Sequence, residues 1–226
     1  MLLHVVGNIG SGKTTAAKIL KDILKSAGYT VEYIAESAID NPFLNLYFKD
    51  PARYSFHMQL FTESRLADII NKSFCEPTIM ADSAPVYITD FGIPIVFARL
   101  ERNLRFLTPE EFATYTYLRR QLIPGDPEIC CGVKYFFLDV TPETCLKRIK
   151  SRNQRDENFI TIDYLNQLND LYWHWLTEET DQAEIVPDGS MGEIRNKLLG
   201  IIGGLVKPAC PDVWPRQQYI IKKNID

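Results

Sequence analysis

The sequence predicts an α/β fold, with a central parallel β-sheet of about five strands flanked by helices. Three observations carry that expectation. Short apolar runs alternate along the chain with longer stretches of helical periodicity, the pattern of βαβ units. The first apolar run leads through a glycine-rich turn into an amphipathic helix. The composition, 46% hydrophobic and 24% charged over 226 residues, is that of an ordinary soluble domain with room for a core.

Taken in order, Leu2 to Val6 reads as the first strand. A helix follows from Lys13 to Ala27, where Ala16, Ile19, Leu20, Ile23 and Leu24 recur at helical spacing. Gly28 supplies its stop. Thr30 to Ala35 reads as the second strand, Thr78 to Ala81 as the third, Lys134 to Val140 as the fourth and Ala183 to Val186 as the fifth. Helical patterns occupy about 53–72, 91–105, 109–122, 142–150 and 162–178. In such a sheet, ligands sit at the carboxyl ends of the strands. One domain is expected over residues 1–205. Pro208, Pro211 and Pro215 then break up residues 206–226, which read as a C-terminal arm packing on the domain or on a partner subunit.

Composition also excludes function classes. A net charge of -4 gives no basic field, so a broad nucleic-acid surface is not expected. No stretch approaches the ~20 apolar residues of a membrane span, and the N-terminal run reads as a strand rather than a signal peptide. The five cysteines include no C-x-x-C pair, which suits free thiols in a reducing, cytoplasmic compartment better than zinc or redox chemistry.

Gly7-Asn8-Ile9-Gly10-Ser11-Gly12-Lys13-Thr14 fits G-x-x-x-x-G-K-[ST]. Its glycines let the backbone curl so that N–H groups point at phosphate oxygens, and the following helix adds the positive end of its dipole. Lys13 would reach the β- and γ-phosphates and Thr14 would hold Mg²⁺; Thr15 continues the first helical turn. A strand before and a helix after make this a phosphate-binding loop rather than a ligand-free turn. The loop specifies a nucleotide donor, ATP, and leaves the acceptor open. Glu36, ending the second strand, could accept a proton from an attacking hydroxyl; by position alone it reads equally as a solvated loop carboxylate.

From Asn41-Pro42-Phe43-Leu44 onward the sequence resembles the deoxynucleoside kinases of the deoxycytidine, deoxyguanosine and deoxyadenosine type. The resemblance runs through Tyr47-Phe48-Lys49-Asp50-Pro51-Ala52-Arg53-Tyr54-Ser55-Phe56 and Gln59. It resumes over Leu138 to Ile149, Arg152 to Glu157, and Tyr164 to Leu176, so it covers most of residues 1–180. It implies a P-loop kinase with an Arg-containing lid and a γ-phosphoryl transfer from ATP to a deoxynucleoside 5′-hydroxyl. In that resemblance Glu36 matches the general base, Gln59 the base-reading amide, and Asp82 the acid near Mg²⁺. Asp90 and Arg65 match the pair that reads a purine or cytosine in preference to thymine. Arg148 and Arg152 match lid arginines, and Glu157 the carboxylate near the sugar 3′-hydroxyl. A homodimer through the helices beginning near Arg53 and Phe91 is likewise implied. By residue type alone, Gln59 could be a helix-face amide, Arg65 the partner of a surface acid, and the basic run Lys147 to Arg155 a solvated helix end.

The chain departs from the family at four places. Asp82-Ser83-Ala84-Pro85 lacks the arginine that follows the family's acid. Phe48, beside Tyr47, stands where a tyrosine contacts the sugar. Arg65 comes one residue early, about 100° around a helix. Gln154 holds a lid-arginine position, with Arg155 next to it. Most of these fall on the acceptor side. They keep two alternatives open: a kinase acting on a deoxynucleoside monophosphate or modified nucleoside, and a non-catalytic nucleotide-binding scaffold.

Overall fold

A continuous apolar run can sit only in the middle of a sheet covered on both faces, and Leu2-Leu3-His4-Val5-Val6-Gly7 is buried throughout. In the computed structural model this run is β1 (Leu2–Gly7), the central strand of a five-stranded sheet in the order β2-β3-β1-β4-β5. The structure describes residues 1–36, 40–75, 85–122, 133–152 and 160–204. The other strands are β2 (Val31–Ile34), β3 (Val86–Thr89), β4 (Val133–Asp139) and β5 (Ala183–Pro187). Every pairing is parallel; Leu2 lies between Tyr87 on β3 and Val133 on β4.

Eight helices are described: α1 (Lys13–Ser26), α2 (Leu44–Lys49), α3 (Pro51–Cys75), α4 (Pro94–Asn103), α5 (Pro109–Leu122), α6 (Pro142–Arg152), α7 (Ile162–Glu178) and α8 (Met191–Gly204). α1 packs on β1, β2 and α8, while α4 contacts α3, α5 and α7. Between sheet and helices, Leu3, Val5, Leu20, Leu24, Ile88, Phe136, Phe137, Leu165 and Tyr172 are fully or almost fully buried. Local chemistry sets the helix ends. Pro94 opens α4 at its first turn, where the missing N–H costs nothing. Thr161 caps α7 by accepting the Tyr164 N–H.

Three expectations change. The described strand between β1 and β2 is Val86–Thr89, which was not expected; the strand expected over Thr78 to Ala81 lies outside the described residues. Both runs are short and apolar, but the later one is β-branched and aromatic and pairs in register with β1 and β2. The helix expected from Phe91 starts at Pro94, because β3 ends only at Thr89. α2 and α8 were not expected. Gly192, Gly200, Gly203 and Gly204 dilute the periodicity of α8, although Ser190 and Glu193 form a reciprocal capping box at its start. The expected C-terminal arm lies outside the described residues.

Candidate active site

The loop between β1 and α1 has its curvature from glycine. Gly10 and Gly12 adopt φ of 80° and 98°, in the left-handed region that side chains disfavour. Gly10 is also sterically closed: a Cβ there would stand 2.8 Å from the Cys145 carbonyl oxygen and 2.9 Å from Ile149, so the loop is seated directly on α6. On its other side, the Asn8 side-chain amide donates to the Leu165 carbonyl of α7 at 2.9 Å, and its Oδ1 accepts the Ile9 N–H.

α1 begins without a side-chain cap and without an acid in its first turn, so its first N–H groups stay available to an anion. Lys13 folds back over the loop, donating to the carbonyls of Gly7 and Asn8 at 3.2 and 3.1 Å. Burial lowers its pKa, and the charges of Glu36 and Asp90 act in the opposite direction. Thr14 and Thr15 are exposed on the open side of the loop.

Asp90, the residue after β3, gathers the site. Its Oδ2 accepts from the Thr14 hydroxyl at 2.6 Å and the Tyr33 hydroxyl at 2.9 Å, and its Oδ1 accepts the Glu36 backbone N–H at 2.8 Å. One buried carboxylate thereby ties the phosphate loop to the end of β2. The Glu36 side chain is exposed to solvent. Desolvation there raises its carboxyl above the usual range, against the pull of Lys13. Asp90 was expected to read a base; here it follows directly on β3 and bonds to Thr14, Tyr33 and Glu36. Asp82, expected to close that strand, lies outside the described residues, as does Glu157.

Of the lid arginines, Arg148 donates to the Ser11 carbonyl at 3.2 Å and to Asp188, after β5, at 2.8 Å. It therefore already borders the phosphate loop. Arg152, ending α6, lies close enough for its charge to act on Lys13.

The residues expected on the acceptor side divide. Gln59 is buried on α3, and its Nε2 donates to Glu101 Oε1 of α4 at 2.8 Å. Phe48 is only part-buried and packs its ring on Tyr47. Tyr47 is the buried member of that pair and carries its hydroxyl toward Glu101 and Tyr164. Arg65 points away: it pairs with Asp68 at 3.0 Å on a surface where its side chain is 48% exposed. The one-residue offset noted in the sequence has rotated it to solvent. Sequence reasoning missed Glu101, Tyr33 and Asp188. Glu101, flanked by Arg99 and Arg102, reads in the sequence as a surface acid.

With this geometry in place, comparison with protein families matches residues 3–197 to a family described as "Deoxynucleoside kinase". The chain belongs to the deoxynucleoside kinase family. It is 30% identical over 180 residues to a deoxyadenosine kinase of Dictyostelium discoideum, a match covering 78% of this chain and 66% of that one. It is 26% identical over 214 residues to a probable deoxycytidine kinase of fowlpox virus, covering 90% and 86%. The match thus spans about two thirds of the length of the Dictyostelium enzyme. Among solved structures, deoxyadenosine kinase from M. mycoides with bound dCTP superposes with a TM-score of 0.69 at 20% identity, over 90% of this chain and all of that one. At that identity the likeness concerns the fold. No helix among the described residues is long and apolar enough to cross a membrane.

Proposed function

We propose that the protein transfers the γ-phosphoryl group of ATP to the 5′-hydroxyl of a deoxynucleoside in nucleotide salvage. The observation that carries this reading is the Asp90 carboxylate, which joins Thr14 of the phosphate loop to the backbone of Glu36. It sets a candidate base beside a phosphate cradle. The acceptor oxygen attacks the γ-phosphorus, the bond to the β-phosphate oxygen breaks, and ADP leaves. Glu36 takes the hydroxyl proton, and its raised pKa suits a base working near neutrality. Lys13, Arg148 and Arg152 face the charge that spreads over the transferring oxygens.

Among the described residues no cluster of three or more His, Cys, Asp or Glu could hold a metal. One hydroxyl and one carboxylate fit Mg²⁺, a hard cation that binds through one or two protein oxygens plus substrate phosphates. Thr14 and Asp90 would be those ligands, with Asp90 in the role first expected of Asp82. Bound there, Mg²⁺ would neutralise phosphate charge. Further parts of the proposal are a cytoplasmic location and a homodimer. In such a dimer α4 has little free face to give, since most of it is buried; the outer face of α3 remains.

The test is Glu36→Gln. Turnover should fall about 10³-fold while ATP affinity stays at the wild-type value, measured by steady-state kinetics and calorimetry. Near-wild-type turnover would remove Glu36 from the mechanism. Deoxyadenosine and deoxycytidine, named for the relatives, are the first acceptors to assay, beside their monophosphates.

A further inference from the structure

Tyr33 belongs to an edge strand, yet its side chain ends in the middle of the site. The strand register puts it there. Tyr33 on β2 pairs with Ile88 on β3, and paired residues of a parallel sheet point to the same face. Asp90 follows Ile88 by two residues and so shares that face. Two residues span about 6.6 Å of strand, a gap that a phenol can bridge. The Tyr33 hydroxyl accordingly reaches Asp90 Oδ2 at 2.9 Å. On the side of α1, the Lys21 ammonium lies 5.8 Å from the centre of the Tyr33 ring, within the range of a cation–π contact.

Asp90 itself is 2% exposed, and a buried carboxylate has to be met by donors. Three donors meet it: the Thr14 and Tyr33 hydroxyls share Oδ2, and the Glu36 N–H takes Oδ1. An ionised carboxylate offers about four acceptor positions, so these donors leave room for a cation. They are not equivalent. Thr14 is the residue that would share the metal with Asp90, and the Glu36 N–H belongs to the backbone of the candidate base. Tyr33 is the donor with no second task, and it stands on a strand paired with β3 along its whole length. Burial, followed by the Asp90 hydrogen bond, raises the phenol above its ordinary range, so it keeps its proton and donates. A neutral donor also orients a carboxylate without cancelling the charge that a cation needs.

We propose that Tyr33 is a positioning residue for the metal: its hydroxyl holds the Asp90 carboxylate in the orientation that takes Mg²⁺ together with Thr14. This rests on the kinase reading above, and within it on Thr14 and Asp90 as the ligands. Groups that hydrogen-bond a metal's ligands fix their orientation, and losing one weakens metal binding roughly 10- to 100-fold. Tyr33→Phe is the matching substitution. It keeps the ring and the Lys21 contact and removes a single oxygen. Oδ2 is then held by Thr14 alone, whose hydroxyl the metal also claims.

The test is one of binding. ATP affinity of the full chain is measured by calorimetry across a Mg²⁺ series, and again in EDTA, for wild type, Tyr33→Phe and Tyr33→Leu. The Mg²⁺ concentration that gives half of the full gain in ATP affinity should rise about 10-fold in Tyr33→Phe, while affinity in EDTA stays at the wild-type value. Tyr33→Leu, which also loses the ring, should show the same Mg²⁺ shift, and thermal unfolding should show both variants folded. A shift found in Tyr33→Leu alone would assign the effect to packing and overturn the role of the hydroxyl. Equal losses with and without Mg²⁺, no change in either, or a wild-type affinity indifferent to Mg²⁺ would also overturn it. Wild-type protein that phosphorylates no nucleoside or monophosphate, but whose Mg²⁺-dependent ATP binding needs Tyr33, would overturn the kinase reading and support metal positioning. Wild-type turnover with an unaltered Mg²⁺ series in Tyr33→Phe would do the reverse.

Discussion

The phosphate end and the acceptor cluster of this molecule are built by opposite means. The phosphate end is mostly backbone: one curled loop, the first turn of α1, and a lysine folded over both. It is local in sequence, from Gly7 to Thr14, and open to solvent at Thr14 and Thr15. The proposed acceptor side is mostly side chain, with Tyr47, Gln59, Glu101 and Tyr164 converging from four helices into the interior. Backbone N–H groups bind any phosphate in much the same way, whereas converging side chains can discriminate. The donor half is therefore general and the acceptor half is where specificity can change. Asp90 joins the phosphate loop to the end of β2 at Glu36.

That contrast can be broken or sharpened by substitution. The largest effect should come from Lys13→Met, which removes the only lysine in the loop: kcat should fall about 10³-fold for every acceptor alike. A loss confined to one nucleoside would mean that donor and acceptor sites are not separate. Asp90→Asn should come next, with about 10²-fold lower kcat. An amide cannot accept through both of its heavy atoms, so either Thr14 and Tyr33 or the Glu36 N–H loses its partner; steady-state rates at saturating ATP would show it. An unchanged rate would mean that the joint is dispensable.

The smallest effect concerns stability and has a definite sign. Glu101 holds its proton up to about pH 8 in the folded chain, whereas an unfolded glutamate releases it near 4.5. Between those values the folded state binds more protons, so this group's contribution weakens as pH rises. Glu101→Gln carries no such penalty. It should melt above wild type at pH 8, by ~5 °C, and the gap should close toward pH 4.5. A gap independent of pH would argue against a buried acid.

Much of this architecture was legible beforehand for a physical reason: periodicity and glycine geometry are local. Four of the five described strands, six of the eight described helices and the phosphate loop follow from windows of a few residues. Asp90 was given a different role because Val86–Thr89 was not read as a strand, and only its pairing with β1 and β2 sets Asp90 beside Thr14. Arg65 turned on the phase of a long helix, where one residue decides between interior and solvent. Glu101 was invisible because an acid in a helical stretch reads as surface until α3, α5 and α7 close around α4. What went unread depended on packing between distant segments.

The all-parallel sheet has one consequence for how the chain comes to exist. Each strand pairing joins residues far apart along the chain, with Leu2 next to Tyr87 on one side and Val133 on the other. During synthesis, β1 emerges first and can be enclosed on both edges only after β4 has been made. For that interval a largely apolar strand is a sticky edge, and such long-range closure is slow. The strand that anchors the phosphate loop is thus, in an unfinished chain, an edge open to wrong pairing until its neighbours are made.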